Sequence, residues 1–189
     1  KSALESIPME YILNTFQAPN ARRLLTSFSR RLGYLNGHEY AIQIATHWLN
    51  ADGLLGKMRG HFDVFHLKLF TNIAPLVPEK ILDYMEDVAC SSDGALLLSR
   101  ENDHFVELVQ LLRNLAYDSR LFYRSAKLIC RFALSERVGE NVNSIRHDLG
   151  SLFHLYLSGT HASAEQRSEI SNELLSSSDG AEQQLGISL

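Results

Sequence analysis

The strongest constraint in this chain is an apolar period of three to four residues. Between Asp103 and Tyr117, the side chains Phe105, Leu108, Val109, Leu112, Leu115 and Ala116 recur at i, i+3, i+4 and i+7 spacing, while Glu107, Gln110 and Arg113 take the other side. Only a helix gathers such residues on one face. Tyr117-Asp118-Ser119 breaks the pattern, and Asp118 or Ser119 is placed to accept hydrogen bonds from the free N–H groups of a second helix. That helix is expected to run to about Ser135, with Phe122, Ala126, Ile129 and Ala133 on one face and Leu121, Leu128 and Phe132 widening it. Two amphipathic helices joined by a tight turn form an αα-hairpin.

The unit recurs along the chain. Pro78 is placed to open a helix whose stripe is Ile81, Leu82, Met85, Val88 and Ala89. Before it, His61 to Ile73 carries Phe62, Phe65, Leu69, Phe70 and Ile73, and the pair turns at Ala74-Pro75-Leu76-Val77-Pro78. Met9 to Phe16, Ala21 to Leu35 and Glu39 to Leu49 read as three more helices, separated by Pro19-Asn20 and Asn36-Gly37. Leu149 to Leu157 reads as a short helix closed by Ser158-Gly159. Ser163 and Gln166 have capping-box spacing ahead of Ile170, Leu174 and Leu175. Ser176 to Gly180 then breaks the pattern, and a last helix is expected from about Ala181. The least ordered segments are expected at Cys90 to Arg100 and Val138 to Ser144. No strand pattern is present. The expected fold is all-α: stacked antiparallel helix pairs in a solenoid-like array of the HEAT or TPR kind, or else a bundle. The whole chain, residues 1–189, is expected to form a single helical domain. Within it, residues 1–50 hold the N-terminal helices, 51–135 the central pairs and 149–189 a C-terminal pair.

Composition narrows the class. Apolar residues make up 45% of the 189 and charged residues 21%, which suits a soluble globular chain and argues against disorder. Two cysteines, Cys90 and Cys130, are too few for a secreted disulfide framework, and each is expected to be a buried reduced thiol. No apolar run approaches the roughly 20 residues that span a bilayer, and Lys1 to Glu5 does not begin a signal peptide. The expected location is the cytoplasm, with no membrane partner. Both ends look like breaks in a longer protein.

Motifs that could carry chemistry are thin. Gly53-Leu54-Leu55-Gly56-Lys57-Met58 resembles a phosphate loop, but only two residues separate its glycines and Met58 cannot ligate magnesium. A turn opening a helix, with Asp52 as its cap, is the plainer reading. His61 and His66 are off a common helix face, His38-Glu39 lacks the zincin partner, and His104, His147, His154 and His161 are scattered. Arg146-His147-Asp148 reads as a solvated charged turn. Ser158-Gly159-Thr160-His161 would bring a hydroxyl near an imidazole, though a C-cap glycine explains it as well. Trp48, Phe62, Phe65, Phe105, Phe122, Phe132 and Phe153 all belong to apolar stripes. No catalytic, metal-ligating or cofactor-binding residue is assigned. Arg22-Arg23 and Arg30-Arg31 lie about two turns apart on one expected helix, a basic stripe that could meet phosphates or an acidic protein surface. The alternative is a solvated face, and no aromatic array reads beside the arginines.

Several segments resemble a helical region of large bacterial STAND-type NTPase proteins. They are Trp48 to Leu55, Asn72 to Pro78, Leu112 to Asp118 with Leu121-Phe122, and Ser151 to Phe153 with Leu157 to Ala162 and Gln166-Arg167. The resemblance covers the chain from Trp48 onward. It implies a helical-repeat sensor or scaffold that follows an effector domain and a nucleotide-binding switch, in proteins thought to act in defence against phage. The ATP site of such a switch is not in this chain, so no catalytic residue carries over. The expected function is therefore non-catalytic protein–protein contact. The alternatives are a phosphate-backbone-binding module built on Arg22, Arg23, Arg30 and Arg31, and a small helical enzyme with an unrecognised site.

Overall fold

The computed structural model describes residues 18–136, 139, 144–156 and 158–189. The helix expected over Met9 to Phe16 lies outside them, as does most of the Val138 to Ser144 segment. All regular structure among the described residues is helical, in ten α-helices and one 3₁₀ turn, with no strand. They divide into two compact units, residues 1–85 and 86–189.

The N-terminal unit contains α1 (Ala18–Gly33), α2 (Glu39–Leu49), a 3₁₀ turn (Gly56–Met58) and α3 (Val64–Ile73). It also contains the first two turns of α4 (Pro78–Cys90), within which the division falls. Helix α1 starts earlier than expected and takes Pro19 into its first turn, where a missing N–H breaks no helical bond. Its inner stripe is Ala21, Leu25, Ser29 and Leu32, all buried. Helices α1 and α3 pack together, with a close backbone approach at Gly33. A Cβ there would lie 2.2 Å from the Asn72 carbonyl oxygen. Asn72 Nδ2 donates to Ser29 Oγ at 2.9 Å in the same contact. Trp48 of α2 is buried beside Phe28, with ring centroids 6.2 Å apart. Phe62, Phe70 and Tyr84 form an aromatic cluster with centroid separations of 4.8, 5.4 and 6.0 Å. The Tyr84 hydroxyl accepts from the Gly60 N–H and donates to the Leu55 carbonyl, tying down the loop after α2.

The expected Asp52 cap is not found. The 3₁₀ turn begins after Leu55 and has no side-chain cap. The glycines serve the end of α2 instead: a Cβ at Gly56 would fall 1.8 Å from the Asn50 carbonyl oxygen. This loop wraps helix carbonyls, the opposite polarity from a phosphate cradle.

The C-terminal unit holds the end of α4, then α5 (Gly94–Leu97), α6 (Phe105–Leu115) and α7 (Ser119–Leu134). After these come α8 (Ile145–Phe153), α9 (Ala164–Leu175) and α10 (Gly180–Ile187). Helix α7 is its centre, packing against α6, α8, α9 and α10. Phe105 and Phe132 meet edge to face at 5.1 Å, and Phe122 lies 6.2 Å from Phe153. Phe105, Phe122 and Phe132 are almost fully buried. Asp118 caps α7 by accepting from the Arg120 N–H at 2.9 Å. The Arg120 side chain grips the same carboxylate and holds it down to about 2. The Ser163–Gln166 capping box at α9 is present, and Asp179 caps α10.

Several local expectations differ from the structure. Cys90 to Arg100 contains the short helix α5. Cys90 is exposed because it ends α4 just past the buried Val88 and Ala89, whereas Cys130 is buried, and both are free thiols. Helix α8 begins at Ile145, not Leu149, and ends at Phe153. The charged triplet Arg146-His147-Asp148 is thus the first turn of a helix, and Gly159 is not its C-cap.

Candidate functional site

The four arginines singled out in the sequence are all exposed on α1, but they do not act as one stripe. Arg22 leans across to α3: its guanidinium is 3.6 Å from Asp63 Oδ2 and lies over the Phe65 ring at 5.1 Å. Phe65 is accordingly half-buried rather than core. Asp63 also caps α3 and accepts from both the backbone N–H and the ring Nδ1 of His66. Burial works against ionisation of Asp63. The His66 N–H, the His66 ring and Arg22 outweigh it and hold the carboxyl below its usual range. Arg22 is therefore a strut between two helices.

Arg23, Arg30 and Arg31 have no hydrogen-bond or ion-pair partner among the described residues. Arg23 and Arg30 are seven residues apart, so they return to the same side with a rise of about 10 Å. Arg30 and Arg31 sit in the last turn of α1, where they also offset the negative end of the helix dipole. The chain then turns tightly: Tyr34 N–H donates to the Arg31 carbonyl, Leu35 N–H to Leu32, and His38 N–H to Leu35. This places Tyr34 one turn beyond Arg30 and Arg31. Tyr34 is 76% exposed and Tyr40, in the first turn of α2, is 45% exposed. The His38 and Tyr40 rings lie 6.1 Å apart. Sequence reading missed these aromatics. They flank the Asn36-Gly37 turn, but their exposure follows from the turn's geometry and not from the local sequence. From Tyr11 to His38 the chain contains four arginines and no Asp or Glu, and the acidic groups beside this stretch are Asp63, paired with Arg22, and Glu39 at the start of α2.

Several charged groups of the C-terminal unit are engaged internally. Arg167, the only Arg or Lys after residue 150, is 6% exposed. It donates to the carbonyls of Leu152 and Ala162 and to the hydroxyls of Ser158 and Thr160. Its guanidinium carbon lies 5.6 Å from the Phe122 ring centre. Ser158 and Thr160 thus face an arginine. His161 instead sets its ring edge to face on Tyr117 at 4.5 Å, so no hydroxyl–imidazole pair forms there. Glu136, also 6% exposed, pairs with Arg100 at 3.1 Å. It accepts from the N–H groups of Ile145 and Arg146 at the start of α8. Asp148 pairs with Arg113 at 3.0 Å and takes Gln110 at 2.9 Å. Arg131 donates to the Ala89 carbonyl at the end of α4 and approaches Cys90 Sγ at 3.6 Å. Burial pushes the Cys130 thiol up to about 12. A surface cleft of about 340 Å³ is lined by Phe153, Leu155, Arg167, Asn172 and Leu189 among others, but the arginine's donors there are turned to the chain's own oxygens.

Among the described residues, no group of three His, Cys, Asp or Glu side chains is placed to hold a metal ion. Among them, too, no helix is long and apolar enough to cross a membrane. No family model matches the chain, and no curated protein or solved structure matches it.

Proposed function

We propose that this chain is a non-catalytic recognition or scaffold region that works by contact. In this reading it is the helical-repeat part of a STAND-type NTPase in the cytoplasm of a bacterium, serving defence against phage. Its helix pairs would stack on those of neighbouring segments in solenoid fashion, leaving long lateral faces open. The observation that carries the contact reading is a contrast between the two units. Arg167, Glu136, Asp148 and Arg131 all hold the C-terminal unit together. The side chains of Arg23, Arg30, Arg31 and Tyr34 make no hydrogen bond or ion pair among the described residues and are exposed. Exposed arginine and tyrosine are the residue types that most often dominate binding energy at interfaces.

The test is site-specific photo-crosslinking in the native cell. A benzoylphenylalanine at position 34 is expected to give a discrete adduct with a partner macromolecule, and the same probe at the exposed Glu101 is not. Equal labelling from both sites, or none from position 34, would remove the contact reading. The STAND assignment is checked separately: a Walker motif is expected upstream of Lys1 in the parent reading frame.

A further inference from the structure

The proposed contact surface has a chemical character that narrows its partner. Arg23 and Arg30 share one side of α1, Arg31 lies next to Arg30, and Tyr34 follows one turn on. Two features decide between partner classes. The first is charge: no acidic residue occurs between Tyr11 and His38, so cations outnumber the two nearby carboxylates, Asp63, which Arg22 engages, and Glu39 at the start of α2. The second is the pair of exposed rings, Tyr34 and Tyr40, which bracket the turn beyond the arginines. A duplex presents phosphates but keeps its bases stacked inside. A single strand presents both phosphates and unstacked base faces, and base-on-aromatic stacking is the usual complement to a basic track.

We propose that the α1–α2 end of the N-terminal unit binds single-stranded nucleic acid. Arg23, Arg30 and Arg31 contact successive phosphates, and Tyr34 supplies a stacking platform for a base, with Tyr40 a second ring at the same turn. This rests on the contact reading above and names its partner. The site reads no sequence: none of these residues is held in the fork geometry that discriminates base edges, and stacking accepts any base. Arg22 takes no part, because Asp63 and Phe65 already hold it.

The experiment is fluorescence anisotropy on the full 189-residue chain. The probes are labelled oligo(dT) and oligo(rU) of about 16 nucleotides, the upper end of single-strand site sizes, and a duplex of the same length. Binding to the single strands is expected to exceed binding to the duplex. Three phosphate contacts predict that log K falls against log salt with a slope of about −2. R23E/R30E/R31E is expected to abolish binding while leaving the helical circular dichroism largely unchanged, since these side chains make no hydrogen bond or ion pair among the described residues and the dipole contribution lost at Arg30 and Arg31 is small. Y34A is expected to weaken binding roughly tenfold or more, and Y34F to bind like the wild type, because the ring and not the hydroxyl stacks. The dT and rU arms distinguish DNA from RNA as the preferred strand. No binding at low salt, a duplex preference, or a Y34A variant equal to wild type would overturn the proposal. A protein adduct from position 34 without oligonucleotide binding would overturn it while leaving the contact reading intact. Loss of both signals would remove both.

Discussion

Replacing Arg167 strips two carbonyls and two hydroxyls of their donor at once. Hydrogen bonds to a charged group each contribute about 1.5–3 kcal/mol, and buried acceptors left unmade cost more than the bond itself. Arg167→Ala should lower stability by at least about 3 kcal/mol, seen as a fall in the urea midpoint. Arg167→Lys should restore less than half of that, because an ammonium cannot fork to four acceptors. A second residue-scale link joins α7 to α9. Tyr123 donates to Glu173, and Lys127 donates to the same carboxylate at 2.7 Å. The hydrogen bond to Glu173 raises Tyr123 from 10 to about 12, and those from Lys127 and then Tyr123 lower Glu173. A raised tyrosine stabilises the fold below its unfolded value and loses that contribution as pH climbs through its folded one. A lowered carboxyl contributes above the ordinary range and loses it as pH falls through its folded value. The link should therefore hold at neutral pH and weaken at both extremes. Ultraviolet titration of E173Q should show Tyr123 returning towards 10.

Among the elements, α7 bears most of the packing. Phe122 lies in its first turn, fully buried beside Phe153 and the Arg167 guanidinium. Phe122→Ala should cost about 3–5 kcal/mol, and an unchanged melting temperature would show that the core lies elsewhere. The α1–α3 contact is limited by Gly33, where an added methyl would meet the Asn72 carbonyl. Gly33→Ala should destabilise by about 1–3 kcal/mol despite its better helix propensity, with urea denaturation as the readout. Boundaries set by local chemistry were legible in the sequence: Glu39 to Leu49, the Pro78 start, the Asp118 cap and the Ser163–Gln166 box all stand where spacing put them. The start of α8 was missed although Ser144 caps it locally, accepting from the His147 N–H; Glu136, nine residues before Ile145, adds acceptors for the first N–H groups. Only the Glu136 contribution lies outside the window of neighbouring residues. The same holds for the candidate site. The arginines were visible as pairs, but their separation into one strut and three cations unpaired among the described residues depends on Asp63 and Phe65, some forty residues away. The exposure of Tyr34 and Tyr40 likewise needed the turn to be built before it could be read.

Across the whole molecule, charge is divided unevenly. Residues 1–85 carry nine Lys or Arg against seven Asp or Glu, and residues 86–189 carry nine against fifteen. A chain of net charge −4 should therefore bind both an anion exchanger and a heparin column. R23E/R30E/R31E should lose retention on heparin and gain it on the anion exchanger, and unchanged heparin retention would show that these cations are not the ones presented. The helical periodicity made the all-α class legible, since greasy stripes alone require it. It left open how the pairs arrange themselves, because a stripe records that a face is covered and not by which neighbour. One detail of the C-terminal unit has a consequence for ligands. The opening turn of α8 is of the type that elsewhere captures phosphates, with N–H groups aimed outward at a positive dipole end. Here Glu136 already sits on those groups. A competitor tethered to the same backbone is always at high local concentration, so a free anion arriving at α8 finds the seat taken by the protein itself.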